Sequence, residues 1–217
     1  MPARRLAAAL AAMLAAASLG TAAAGAANGV LPAAGVIAYK DSGRWDREIA
    51  RQDALARAYI ARRVESARRP SKLALVLDID DTSLSTYACQ KPMFTGARLA
   101  RCVLGGRLPA IRPTLALYRY ARAKGVTVAF VTGRPAVIRA LTIANLRRAG
   151  YTGRYTLVLK PDAYRRPTLV PFKSAARRAL ERRGLDVVAN VGDQRSDLAG
   201  GYADRAYKLP NPMYFTP

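Results

Sequence analysis

Histidine is missing altogether from the 217 residues of this chain. That absence removes Ser-His-Asp triads, papain-like Cys-His pairs and phosphohistidine chemistry. Any proton transfer must then fall to a carboxylate, Lys, Tyr or Cys. Cysteine is scarce, at Cys89 and Cys102 only, and two thiolates without an imidazole cannot build a zinc site of the usual kind. Acids are also few, 14 against 36 Lys and Arg, for a formal charge of +22. Aromatics do not interleave with the basic residues as stacking on a single strand of nucleic acid requires. The basic residues are spread along the chain rather than blocked into a tail. We therefore read the charge as general steering of anions together with a coding bias toward Arg, and nucleic acid is not expected as the main partner.

What is present begins with a leader-like segment. Arg4 and Arg5 form a positive head, Leu6 to Leu19 an apolar Ala-rich run, and "AGA" at Ala24 to Ala26 a cleavage-like site. This order predicts a signal peptide over residues 1–26; an uncleaved anchor is the alternative, weakened by the low hydrophobicity of alanine. No later stretch is long and apolar enough to cross a bilayer. The expected product is a secreted or periplasmic domain over residues 27–217, without stable membrane insertion once the leader is removed. In an oxidising compartment Cys89 and Cys102, thirteen positions apart, can close a disulfide loop; two free thiols are the alternative.

The rest of the chain alternates. After a loose lead-in over Asn28 to Tyr39, Arg44 to Arg69 reads as an amphipathic helix stopped by Pro70. Strand-like runs follow at Leu73 to Ile79, Val126 to Val131, Thr156 to Leu159, Val187 to Val191 and Ala206 to Leu209. Helical patterns lie between them at Thr114 to Ala123, Pro135 to Arg148 and Lys173 to Arg183, each ending at a glycine. Strands alternating with helices predict a parallel α/β sheet with right-handed crossovers, and the nearly continuous apolar runs predict cover on both faces. Thr82 to Pro113, rich in Pro and Gly and holding both cysteines, breaks the pattern. It reads as an irregular insertion over the C-terminal edge of the first strand, suited to a lid or substrate-selecting element.

In such sheets ligands bind beyond the carboxyl ends of the strands. Here the strands end in "DIDDT", "VTGRP", "VLKP" and "NVGDQRSD". One fold rule thus gathers Asp78, Asp80, Thr132, Arg134, Lys160, Asp193 and Asp197 at a single rim, and Lys173 can join them from the next helix. Crowded acids repel one another, and a hard cation with oxygen ligands relieves that, while Lys, Thr and backbone N–H groups suit phosphate oxygens.

"DIDDT" matches the D-x-D-x-T first motif of the haloacid dehalogenase (HAD) superfamily; "VTGRP" and "GDQRSD" resemble its second and fourth. The stretch from "LVLKPDAY" through "GDQRSDLAGG" and the ending "AYKLPNPMY" resemble one branch, the HAD acid phosphatases, including class B-like bacterial enzymes and plant vegetative storage proteins. The resemblance runs from about Arg44 to the C-terminus. It implies a three-layer Rossmann-like parallel sheet with a small irregular cap insertion at about residues 82–113. It also implies a Mg²⁺-dependent acid phosphatase that hydrolyses small-molecule phosphate monoesters through an aspartyl-phosphate.

By the same resemblance, Asp78 is the nucleophile and Asp80 the general acid and base. Thr132, Lys173 and Arg134 bind the phosphate. Asp78, the Asp80 main-chain carbonyl, Asp193 and Asp197 hold the metal. The family pattern favours Lys173 over Lys160 as the third-motif lysine. Arg134 is either a phosphate ligand or a structural or rim residue, and Asp81 is expected to face solvent or cap. Tyr87, Met93 and Phe94 either line the substrate pocket or pack in the lid. The alternative function is a non-catalytic storage or binding protein on the same scaffold, and loss of the nucleophile would be its signature.

Overall fold

The computed structural model describes residues 30–217. The signal peptide expected over 1–26 lies outside the described residues. Among the described residues no helix is long and apolar enough to cross a membrane.

Two helices open the chain, α1 (Ala33–Asp41) and α2 (Arg44–Ser66). The first corrects the expected loose lead-in: Pro32 stands at its N-cap and Val36 is fully buried in the core. Alanine supplies the helix propensity that Pro32 and Gly35 disguise in the sequence. Strand β1 (Leu73–Leu77) follows, then α3 (Tyr87–Gln90), α4 (Gly96–Gly105) and α5 (Arg112–Ala123). Next come β2 (Thr127–Pro135), α6 (Arg139–Arg148), β3 (Thr156–Lys160), α7 (Val170–Arg182) and β4 (Asp186–Gly192). Helix α8 (Arg195–Leu198) and strand β5 (Arg205–Lys208) complete the order.

All strand pairs are parallel, in the order β3-β2-β1-β4-β5. Every residue of β1 is buried, and its side chains alternate between two cores, as the period of a strand requires. Leu73, Leu75 and Leu77 join Trp45, Ile49 and Ile60 of α2 and Leu117 of α5. Ala74 and Val76 join Ala176 and Leu180 of α7. The result is three layers, with β1 at the centre.

The strand order reverses between β1 and β4, because connections from β1 run outward to β2 and β3 while β4 lies on its other side. That switch point opens a crevice at the carboxyl ends of these two strands.

Two boundaries differ from expectation. Strand β2 continues through Pro135, which pairs with Lys160 after a register shift, so Pro135 ends a strand rather than starting the next helix. The insertion at 82–113 is less irregular than its Pro and Gly content suggests. Helix α4 is capped by Thr95, whose side chain accepts the Arg98 N–H, and stops at Gly106 in the left-handed region at φ 63°. Cys89 of α3 and Cys102 of α4 are joined as a disulfide, which ties the two helices together.

Candidate active site

Asp78 is the first residue beyond β1. Its N–H donates to the Val191 carbonyl of β4 at 3.0 Å, so its backbone stays locked to the sheet. The chain then turns tightly: Ser83 Oγ donates to the Asp78 carbonyl at 2.6 Å and Leu84 N–H to the Ile79 carbonyl at 2.8 Å. On an ideal strand residues 78 and 80 would share a face. The turn instead releases the second from the sheet, and both line one cleft of about 540 Å³ with Thr132, Arg134, Lys173, Asp193 and Asp197.

Lys173 decides how these charges are balanced. It sits in the first turn of α7, buried, with Nζ donating to Asp78 Oδ1 at 2.6 Å and also to Asp197 Oδ1. Burial alone would lower the Lys173 ammonium's pKa, but the carboxylates of Asp197 and Asp78 outweigh it and hold it above the ordinary lysine range. Burial pushes the Asp78 carboxyl well above the usual carboxylate range; Lys173 pulls against that, while Asp197, Asp193 and Asp80 add to it. Lys160, the other candidate for this place, makes no such contact.

The loop after β4 supplies two more acids. Asp193 accepts from Thr82 Oγ1 at 2.8 Å, Gln194 Nε2 at 2.6 Å and Asn211 Nδ2 at 2.7 Å. Burial and then the charge of Asp197 raise its pKa to about 6, against the pull of these hydrogen bonds. Asp197 closes a capping box with Gln194, accepting the Gln194 N–H on Oδ2 at 2.7 Å. Gly192 makes room for this, since a Cβ there would overlap the Asp197 side chain. Arg177 of α7 donates to the Asp197 carbonyl at 2.6 Å and to the Gly201 carbonyl at 2.8 Å, pinning the loop from behind.

Asp80 is held by Arg134 through two parallel hydrogen bonds, at 2.9 and 2.7 Å. Arg134 is 3% exposed, so it is no rim residue. Its Nη1 is buried without a partner among the described residues, a donor that calls for an anion. Thr132 Oγ1 accepts the Arg134 N–H at 3.2 Å, which leaves its own hydrogen for a second acceptor.

The donor set suits a divalent hard cation. Asp78, Asp193 and Asp197 each offer a carboxylate oxygen, all within 4.8 Å of one another, and all three residues are buried. Lys173 meets two of the three, Asp78 and Asp197, so a further positive charge relieves the repulsion that raises Asp78 and Asp193. The Asp80 carboxylate stands outside the trio.

Asp81 corrects the sequence expectation most sharply. It is fully buried rather than solvent-facing, at φ 55°, a left-handed conformation that Asp tolerates better than most residues. It accepts from Thr86 N–H at 2.8 Å, from the Thr86 hydroxyl, and from Tyr214 Oη at 2.8 Å. Burial, with Asp193 nearby, raises it to about 7 despite these bonds. It thus ties the turn after β1 to the C-terminal segment. Tyr87 and Phe94 stack at 5.9 Å, Tyr87 packs edge-on against Trp45, and Met93 is exposed. None of the three lines the cleft, whose apolar wall comes instead from Leu99, Val103 and Leu104 of α4 and from Ile138. Of the supporting residues, Gln194 is legible as the start of a Q-x-x-D capping box, whereas Asn211 and Tyr214 stand in the family-like ending "AYKLPNPMY" without any pattern that names their partners.

The chain matches the family described as HAD superfamily, subfamily IIIB (acid phosphatase), over residues 7–217. It is 37% identical over 155 residues to the stem 28 kDa glycoprotein of Glycine max, covering 66% of this chain and 60% of that protein. It is 34% identical over 147 residues to acid phosphatase 1 of Solanum lycopersicum, covering 64% and 58%. Vegetative storage protein 1 of Arabidopsis thaliana is 33% identical over 149 residues, 65% of this chain and 55% of that one. The chain therefore spans less than two thirds of the length of these relatives. In fold it is similar to the class C acid phosphatase of Bacillus anthracis, with a TM-score of 0.66 at 18% identity over 82% of this chain and 83% of that one.

Proposed function

Because the chain belongs to the HAD superfamily, subfamily IIIB, we propose that it is an exported, Mg²⁺-dependent acid phosphatase that cleaves small phosphate monoesters through an aspartyl-phosphate on Asp78. The observation that carries this reading is the Asp78 carboxylate, open to the cleft and held at 2.6 Å by the buried Lys173. A carboxylate gripped by a cation and flanked by unspent hydrogen-bond donors suits attack on phosphorus.

In the first half-reaction a carboxylate oxygen of Asp78 attacks phosphorus in line with the ester oxygen, and the bond from phosphorus to that oxygen breaks. Asp80 gives its proton to the leaving oxygen, so the product departs as an alcohol. In the second, water attacks the same phosphorus and passes a proton to Asp80. The bond to Asp78 breaks, inorganic phosphate leaves, and both carboxyls return to their starting states. Thr132, Lys173 and the free Nη1 of Arg134 hold the phosphoryl oxygens. Asp78, Asp193, Asp197 and the Asp80 carbonyl would hold Mg²⁺, which supplies charge neutralisation for the phosphoryl group.

Arg134 gives this sequence an order. A dianionic phosphate competes with Asp80 for the guanidinium, so substrate entry loosens the fork that ties Asp80. A fold neighbour with a TM-score of 0.65, the class C acid phosphatase of Bacillus anthracis, has a structure with tungstate bound; a phosphate oxyanion is the guest inferred here for the cleft of this chain. The Cys89–Cys102 disulfide supports export to an oxidising compartment.

The names of the vegetative storage relatives favour a second reading, a storage protein on the same scaffold; retention of Asp78 speaks against it. The test is hydrolysis of phenyl phosphate with and without Mg²⁺ by wild type and Asp78→Asn. We expect metal-dependent turnover that falls at least about a thousandfold in the variant with an unchanged circular dichroism spectrum. Equal turnover by both proteins overturns the nucleophile, and none by wild type favours storage.

A further inference from the structure

The cleft holds more positive charge than its chemistry uses. Of its lining cations, Lys173 meets Asp78 and Asp197, and Arg134 meets Asp80. Lys160 and Arg166 also line it, and neither has an acid or any side-chain hydrogen-bond partner among the described residues. Lys160 is the rim lysine that the metal and phosphate centre leaves over.

Its position is set by the sheet. Lys160 ends β3 and pairs with Pro135, just past the Thr132–Leu159 pair. It therefore stands two strands away from Asp78, about 10 Å across the sheet at the usual strand spacing. Its backbone is thus offset from Asp78 by two strand spacings, on the side of the cleft away from β4. Arg166 is presented from the loop 161–169, which has its own scaffolding. Tyr164 N–H donates to the Pro161 carbonyl at 2.9 Å, Tyr164 Oη to the Thr168 carbonyl at 2.7 Å, and the Tyr164 ring meets Phe172 edge-on at 5.9 Å. Leu169 N–H donates to the Pro217 carbonyl at 2.9 Å. The intervening wall is apolar, from Leu99, Val103, Leu104 and Ile138.

Resting on the phosphatase reading above, we propose that Lys160 and Arg166 form a second anion subsite. The favoured substrates are then phosphate monoesters whose leaving group has an apolar body and, beyond it, a second negative charge. A lone phosphate or a neutral alcohol ester uses only the inner half of the cleft. An ester with a remote carboxylate or second phosphate fills both halves, with its body against the α4 wall. Cations without an acid partner at the mouth of a cleft favour a ligand that brings a second negative charge to them, because no neighbouring carboxylate competes for it.

The experiment compares kcat/KM, at fixed ionic strength with Mg²⁺, for two matched pairs: phenyl phosphate against 4-carboxyphenyl phosphate, and adenosine 5′-phosphate against adenosine 3′,5′-bisphosphate. The proteins are wild type, Lys160→Ala, Arg166→Ala and Arg166→Glu. Wild type is expected to favour the doubly anionic member of at least one pair on the order of tenfold, chiefly through KM. That ratio should shrink in each alanine variant and fall below one in Arg166→Glu, an exposed loop change that does not threaten the fold. A wild-type ratio near one in both pairs, or a ratio that Arg166→Glu leaves intact, overturns the subsite while phenyl phosphate turnover keeps the phosphatase reading standing. Absence of turnover on all four esters overturns both.

Discussion

Arg134 grips both carboxylate oxygens of Asp80, from Nε to Oδ2 at 2.9 Å and from Nη2 to Oδ1 at 2.7 Å, while its Nη1 stays buried without a partner. One guanidinium therefore fixes the proposed general acid and keeps one donor unspent, which the proposed mechanism assigns to the phosphate. Planar, two-pronged recognition of this kind is not available to an ammonium. Arg134→Lys, although charge-conserving, should lower kcat/KM for phenyl phosphate about tenfold or more and weaken inhibition by inorganic phosphate in parallel. Steady-state kinetics with phosphate as a competitive inhibitor measures both. A loss in kcat with no change in phosphate inhibition would limit Arg134 to positioning Asp80.

The approach of Asp197 to the end of β4 depends on a missing side chain. A Cβ on Gly192 would overlap the Cβ and carboxylate of Asp197, and either the loop or the acid must move. Gly192→Ala should raise the Mg²⁺ concentration for half-maximal activity by about tenfold while leaving the core intact. Metal titration of activity, alongside thermal melting in a chelator, separates the two effects. An unchanged metal requirement would remove Asp197 from the ligand set.

Away from the cleft, Asp53 of α2 is buried against α5 with one oxygen on Thr114 Oγ1 at 2.8 Å and the other unpartnered among the described residues. Burial raises its pKa to about 7, against the pull of the Thr114 bond. A carboxyl whose folded pKa lies above its unfolded value holds its proton more tightly when folded. Its contribution is complete below about pH 4 and is lost as pH climbs through about 7, up to roughly 4 kcal/mol. Stability should therefore fall from pH 4 to pH 7, and Asp53→Asn should flatten part of that slope. Melting temperatures of the two proteins across this range test it; parallel curves would mean that the carboxyl is not neutral in the fold.

The Cys89–Cys102 bridge ties α3 to α4, the helix that supplies Leu99, Val103 and Leu104 to the apolar wall. Loop closure of this length contributes about 3 kcal/mol by restricting the unfolded chain. Cys89→Ser together with Cys102→Ser should lower the melting temperature by several degrees. It should also raise KM for phenyl phosphate more than it lowers kcat, because Asp78 and Lys173 belong to the sheet and α7 rather than to the cap.

The sequence by itself determined the layered sheet and its reactive rim. Strands with near-continuous apolar runs have to be covered on both faces, and a parallel sheet has to bring its carboxyl ends to one edge. Asp78, Asp80, Thr132, Asp193 and Asp197 were therefore legible as neighbours before any coordinate. What only the tertiary structure decided is which charge answers which. The family resemblance already favours Lys173 over Lys160, and the fold supplies the reason: α7 begins three residues before Lys173 and buries it against Asp78, whereas Lys160 ends β3 two strands away. Asp81 looks like a solvent-facing turn residue, yet it is buried because Tyr214 and Thr86 converge on it. Thr86 is five residues on, but Tyr214 lies 133 residues away, and a partner so distant leaves no periodic or local trace. Pairing in a buried site is fixed by three-dimensional approach and by the cost of leaving any charge there alone.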